Sequence, residues 1–229
     1  MLTIDGGLVM SNTATLRIEI GGRTVGADYD RLAVTGAAIL SGRLAVTLIN
    51  GFVPTNGDSF AVLTCGARSN VFTSAEVPAL PADVVWDVGY GGTSVTLRVV
   101  GANEDSDGDG MPNGWEHAHF GSATGGAPGG DNDGDGYLNG DEYVADTNPT
   151  NAASHFPAIT NIGATVWILE MDPTSTGRVY DVLRSTDLLD GTNGWMPYGF
   201  DRTGTGGRVT FTITNAGPTR FYRTGVRLP

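Results

Sequence analysis

Hydrophobic and polar residues alternate along this chain in short bursts. In ATLRIEI, Leu16, Ile18 and Ile20 fall on one side and Arg17 and Glu19 on the other, and RLAVTLIN repeats the pattern with Leu44, Val46 and Leu48. Near the C-terminus, Val209, Phe211 and Ile213 alternate with Thr210, Thr212 and Thr214. Successive side chains of a strand point to opposite faces, so a period of two predicts strands with one buried and one wet face. LTID, GLVM, YDRLAVT, GAAILSG, FAVLTC, TVWILEM, RVYDVLRS, WMPYGF and TRFYRTGVRL are equally short strand-like runs. Two more strands are predicted over 84–88 and 94–100, while Pro78 and Pro81 keep the segment between them out of a central strand. The 35 glycines and 11 prolines punctuate these runs in the rhythm of an all-β chain.

The rhythm lapses between residues 103 and 151, where DSDGDGMPNGWE is followed by DNDGDGYLNGDE. Each is a twelve-residue loop with oxygen-bearing side chains at positions 1, 3, 5, 9 and 12 and glycine at position 6, the pattern of a calcium loop. The first offers Asp105, Asp107, Asp109, the Met111 carbonyl, Asn113 directly or through water, and a bidentate Glu116. In the second, the same roles fall to Asp131, Asp133, Asp135, the Tyr137 carbonyl, Asn139 and Glu142. An all-oxygen set of this size suits a hard cation that takes six to eight ligands, so two Ca2+ ions are expected. Magnesium demands stricter octahedral geometry, and zinc prefers Cys or His. WEHAHFG and EYVADTNP leave room for about two helical turns before Gly121 or Pro149 ends them. GSATGGAPGG, between the loops, reads as a flexible spacer.

Charge follows the same division. Eleven of the 25 carboxylates lie in 103–151 with no arginine or lysine, so this segment holds nearly all of the net charge of −12. The acidity therefore reports metal sites, and no basic patch points to nucleic acid or an anionic membrane. The single cysteine, Cys65, sits in a strand-like run as a small apolar residue and cannot close an intramolecular disulfide. No window approaches the apolar length of a membrane span. MLTIDGGLVMSN lacks the basic start and apolar core of a signal peptide. Loading by extracellular calcium requires export, so a mature form or a fragment of a longer precursor is expected.

Three resemblances add to this reading. The run from Ile18 to Thr64, with its GxDYDxLxVxG and LxVxLxxGFxPxxGDxFxxL patterns, and WDVGYGGTSVTLRVV resemble the closing segment of bacterial autotransporter-like and surface β-solenoid proteins. That resemblance implies a secreted, structural setting and no active site; the sequence departs from the family in that nearly all of the expected upstream repeats are missing. The DxDGDG loops and the exit Asp146-Thr147-Asn148-Pro149-Thr150 resemble bacterial repeats related to thrombospondin type 3, whereas a dockerin would carry longer helices. RVYDVLRSTDLLDGTNGW and TRFYRTGVRLP resemble small C-terminal β-domains of exported bacterial proteins. The expected fold is all-β. Its parts are an N-terminal β-solenoid end or β-sandwich (1–102), a short calcium-loop linker with minimal helix (103–151) and a small C-terminal β-sandwich (152–229).

Other chemistry is sparse. His117 and His119 form an HxH pair that diverges on a helix, no HExxH or GxSxG motif is present, and His155 reads as a surface residue. Asp83, Asp87, Asp181 and Asp187 could supply a glycosidase carboxylate pair, but strand edges and turns account for them. Trp86, Trp167, Trp195 and Tyr198 could form a sugar platform, but core packing accounts for large aromatics in a β-domain. The sequence points to a non-enzymatic, calcium-stabilised extracellular or cell-surface structural protein. Its expected partners are copies of itself, joined head-to-tail by β-strand addition at Leu2–Met10 into a filament or surface layer. The alternative is a carbohydrate-binding or anchoring module of a larger secreted enzyme or adhesin, with glycans as partners. The loops read as a metal-set hinge between the β-domains.

Overall fold

A computed structural model describes residues 1–154, 159–162, 166–187, 189, 194–214 and 221–229 of the chain. His155 and residues 190–193 lie outside the described residues. The chain forms two compact units, Met1–Gly126 and Ala127–Pro229, each with its own hydrophobic core. The boundary falls inside the glycine-rich spacer, so each loop belongs to one unit.

The first unit is a stack of three coils. β1 (Leu2–Ile4), β2 (Leu8–Val9) and β3 (Thr15–Ile20) make the first coil. β4 (Leu32–Val34), β5 (Ala37–Ile39) and β6 (Arg43–Leu48) make the second, and β7 (Ser59–Thr64), β8 (Ala67–Ser69) and β9 (Ser74–Glu76) the third. Each strand pairs in parallel with its counterpart one coil on, giving the β1-β4-β7, β2-β5-β8 and β3-β6-β9 ladders. This is the topology of a parallel β-helix, the first of the two expected architectures for this region. The register stacks like on like: Leu16 on Leu44, Ile18 on Val46, Ile20 on Leu48. β10 (Val84–Tyr90) and β11 (Ser94–Gly101) then form a hairpin whose β11 runs antiparallel to β7 and so closes that sheet. Proline-bearing 77–83 carries no strand.

Inside the coils, Ile18, Ile20, Leu40, Leu44, Phe60, Leu63 and Leu97 are fully buried. The Phe60 ring meets Tyr29 and Phe52 edge-on, with centroids 5.3 and 6.1 Å away, and lies 6.2 Å from Trp86. Aromatic contacts of this kind add to the burial of apolar area.

The second unit packs two antiparallel sheets face to face. β12 (Ile159–Ile162), β13 (Val166–Met171) and β17 (Val209–Thr214) form one. In the other, β14 (Val179–Ser185) is flanked on one edge by β18 (Phe221–Arg227) and on the other by the short β15 (Met196–Pro197) and β16 (Arg202–Thr203). Leu169, Met171, Phe211 and Ile213 from the first sheet meet Tyr180 and Val182 from the second in one core, a small β-sandwich. The only α-helices among the described residues are α1 (Asn113–Phe120) and α2 (Asn139–Ala145), one after each loop. None is long and apolar enough to cross a membrane.

Phe60→Ala should destabilise the first unit by about 3–5 kcal/mol, the usual cost of deleting a fully buried ring. Denaturant unfolding with hydrogen exchange to assign the unit would measure it.

Candidate metal centre

The two loops fold alike because their sequences impose the same turn. Asp105 Oδ1 accepts from the Gly108 amide at 2.7 Å and Oδ2 from the Gly110 amide at 2.9 Å. Asp131 does the same with the amides of Gly134 (2.8 Å) and Gly136 (3.1 Å). Gly108, Gly110, Gly134 and Gly136 have φ of +75°, +96°, +78° and +97°, a region that side-chain-bearing residues rarely occupy. The tight turn gathers the alternating aspartates: carboxylate oxygens of Asp105, Asp107 and Asp109 lie within 4.8 Å of one another, as do those of Asp131, Asp133 and Asp135. Met111 is 1 % exposed and anchors the end of its loop, while Tyr137, at the same position of the second loop, is exposed.

Position 9 has a role that loop spacing alone does not reveal. Asn113 is fully buried; its Nδ2 donates to the Gly101 carbonyl at 2.8 Å and its Oδ1 accepts from the Ser106 amide at 2.9 Å. The amides of Asn113 and Gly114 donate to the carbonyls of Glu104 and Ala102. In the second loop Asn139 Nδ2 donates to the Ala127 carbonyl, and the amides of Asn139 and Gly140 to those of Gly130 and Pro128. These asparagines tie the start of each helix to the chain entering its loop. The Oδ1 of Asn113 is engaged by the Ser106 amide, while that of Asn139 is buried with no hydrogen-bond partner. Glu104 accepts from Asn56 Nδ2 at 2.8 Å, which joins the first loop to the third coil of the β-helix. The glycine-rich stretch, expected to be a flexible spacer, is folded where it follows α1: Gly121 caps the helix in the left-handed conformation and Ala123 is fully buried.

The family model of the bacterial TSP3 repeat matches residues 105–122 and 131–152. Both loops are similar to the TSP3 repeat, a calcium-binding repeat. No curated protein and no solved structure matches the chain.

The donors of each TSP3-like loop suit such a cation. Both carboxylate oxygens of Glu116 are buried without a hydrogen-bond partner, and so are Glu142 Oε2, Asp133 Oδ2 and Asp135 Oδ2. Buried carboxylate oxygens are normally paired, and here the groups facing them are other carboxylates. Burial, then Asp107, Asp109 and Asp105, push the Glu116 carboxyl from an ordinary 4.5 up to about 8. The Glu142 carboxyl is raised by burial first and then chiefly by Asp133. Asp107 is raised by burial and by Asp109, whereas hydrogen bonds from the Gly110 and Gly108 amides hold Asp105 below its usual range. A divalent cation would reverse the sign of each repulsion. Asp105, Asp107, Asp109, Glu116 and the Met111 carbonyl would hold one; Asp131, Asp133, Asp135, Glu142 and the Tyr137 carbonyl would hold another.

The remaining candidates have structural surroundings. His119 packs on Trp115, ring centroids 4.6 Å apart, and His117 is half-buried, its imidazole held below its usual value by burial. Asp87, 7 % exposed, lies 3.4 Å from Arg98, and Asp181 pairs with Arg227 at 2.8 Å. Trp86 is 2 % exposed with its Nε1 donating to the Pro78 carbonyl, which removes it from any sugar platform. Trp167 packs edge-on against Tyr222, and Tyr198 does likewise.

Because the metal-free Glu116 carboxyl titrates near 8 and an unfolded one near 4.5, the metal-free fold loses stability as pH rises through that interval. Glu116→Gln should therefore make the first unit more stable than wild type in chelator at pH 8 and less stable in saturating calcium. Thermal unfolding in both conditions checks the crossover.

Proposed function

We propose that the chain is a non-enzymatic, calcium-stabilised structural module that works outside the cell or on its surface, with one Ca2+ in each TSP3-like loop. The observation that carries this reading is the set of unpartnered buried carboxylate oxygens converging on each loop. Extracellular calcium modules bind with dissociation constants of about 0.1–1 mM, so millimolar calcium adds about 0.4–1.4 kcal/mol per site. That gain acts on the units into which the loops are built.

Assembly with further copies into a filament or surface layer is the finer part of the proposal. β1, β2 and β3 each lie at the edge of their sheet. Asp30 takes up the amide and carbonyl of Glu19, which covers the far end of β3 and leaves β1, β2 and the near half of β3 as the open stretch. An unpaired edge is a template for another strand. Exposed Leu2 and Val9, with a recess lined by Leu2, Ile4, Leu16, Ile18 and Leu32, supply apolar surface beside it. A strand added from a second copy would continue the parallel ladders, and a head-to-tail contact that does not close makes a fibre.

Leu2→Lys combined with Val9→Lys should abolish calcium-dependent filaments seen by negative-stain electron microscopy while leaving calcium uptake by calorimetry unchanged. Filaments of normal length from the double variant, or wild type that stays monomeric at high concentration in calcium, would overturn the assembly reading.

A further inference from the structure

The helix after the second loop packs on β18 of the C-terminal sandwich and is also gripped by a side chain that leads into β14. Arg178, immediately before β14, donates from Nε to the Val144 carbonyl and from Nη2 to the Tyr143 carbonyl, both at 2.7 Å. Its guanidinium carbon stands 5.3 Å from the Tyr143 ring centroid, its Nη2 lies 4.0 Å from Asp146 Oδ1, and the side chain is 13 % exposed. At the other end of the residue, the Arg178 carbonyl accepts from the Gly204 amide at 2.9 Å, just beyond β16. The last carbonyls of a helix have no partner within it, and a guanidinium is a rigid planar fork that can take two of them at once.

Those two carbonyls belong to the residues directly after Glu142. A seven-residue helix does not hold itself in water, so the last turn of α2 is fixed from outside. On one side stands Arg178. On the other is the Glu142 carboxylate, with Oε2 buried and unpartnered and with Asp131, Asp133 and Asp135 facing it. A cation in the loop draws that carboxylate in; without one, the three aspartates push it away and the turn carrying the Tyr143 and Val144 carbonyls goes with it.

We propose that Arg178 is the positioning residue that couples calcium occupancy of the second loop to the stability of the C-terminal sandwich. The coupling rests on the calcium reading of that loop, and it is reciprocal: whatever calcium contributes to β14 through Arg178, Arg178 contributes to calcium affinity. The first loop is tied to its own unit through Asn113, Glu104 and Asn56, so its calcium affinity is independent of Arg178.

The test uses the full chain, with calcium titration by calorimetry and hydrogen exchange in calcium and in chelator. Arg178→Met should weaken calcium binding at the second loop about fivefold or more, in the usual range of coupling between sites, and leave the first unchanged. It should also shrink the calcium-induced gain in protection of the Val179–Ser185 amides. A purely structural arginine would lower that protection equally in calcium and chelator and leave the calcium-induced difference intact, which would overturn the proposal. Should Arg178→Met fail to fold, Asp133→Ala decides with Arg178 in place: it should abolish the calcium-induced protection of Val179–Ser185, and Asp107→Ala should preserve it. Full protection in Asp133→Ala, or calcium uptake with unchanged affinity in Arg178→Met, would overturn the coupling alone. Absence of any calcium uptake by wild type would overturn the calcium reading and the coupling with it.

Discussion

Mutual repulsion of carboxylates is the constraint on which the centre of this chain depends. Each loop crowds three aspartates into one turn and closes it with a glutamate that is withdrawn from water. Burying a charge without a counter-charge is among the costliest arrangements a fold can hold. Hydrogen bonds relieve part of the cost: the loop amides satisfy Asp105 and Asp131, and Thr147 donates to Glu142. They leave Glu116 with none, so a bound proton or a cation must supply the balance. The loop thus has two electrostatically acceptable states that differ in whether a proton or a cation balances one carboxylate arm.

The two β units put that arm to work in different ways. In the first, the chain enters the loop directly from β11, whose last residue, Gly101, provides the carbonyl that Asn113 grips, and α1 packs on the β10–β11 hairpin. The loop is therefore an extension of the closing end of the β-helix. In the second, the strands come after the loop rather than before it, and α2 meets them through its packing on β18 and, at its exit side, through a guanidinium. Similar loops thus attach to the β elements upstream in one case and downstream in the other. The boundary between units falls between the repeats, inside a segment that the sequence presents as one acidic block.

Much of this was legible from the residues. The alternation in Leu16–Ile20, Leu44–Leu48 and Val209–Ile213 fixed both the strands and their buried faces, because period-two burial is local information. The twelve-residue spacing likewise marked the aspartates that each turn gathers. What stayed hidden was non-local or weakly patterned. β8 and β9 carry ARS and SAE, which lack apolar alternation and form strands only because β5 and β6 of the second coil offer them an edge. The parallel stacking of the three coils depends on pairing between residues about thirty positions apart, which no single run displays. The bracing amides of Asn113 and Asn139 were invisible behind their place in the ligand pattern. Arg178 sits outside every motif; only the fold brings it to Tyr143.

The frame that receives each loop is made of main chain. Asn113 and its neighbour address the carbonyls of Gly101, Ala102 and Glu104; Asn139 and its neighbour address those of Ala127, Pro128 and Gly130. The side chains at these receiving positions have little in common, and two of the six are glycines. Where a repeat docks on carbonyls, it places almost no demand on the identity of the residues that receive it, only on their path. Such a mode of attachment is portable: a β-strand ending receives one repeat and a glycine-rich turn the other, through the same main-chain groups.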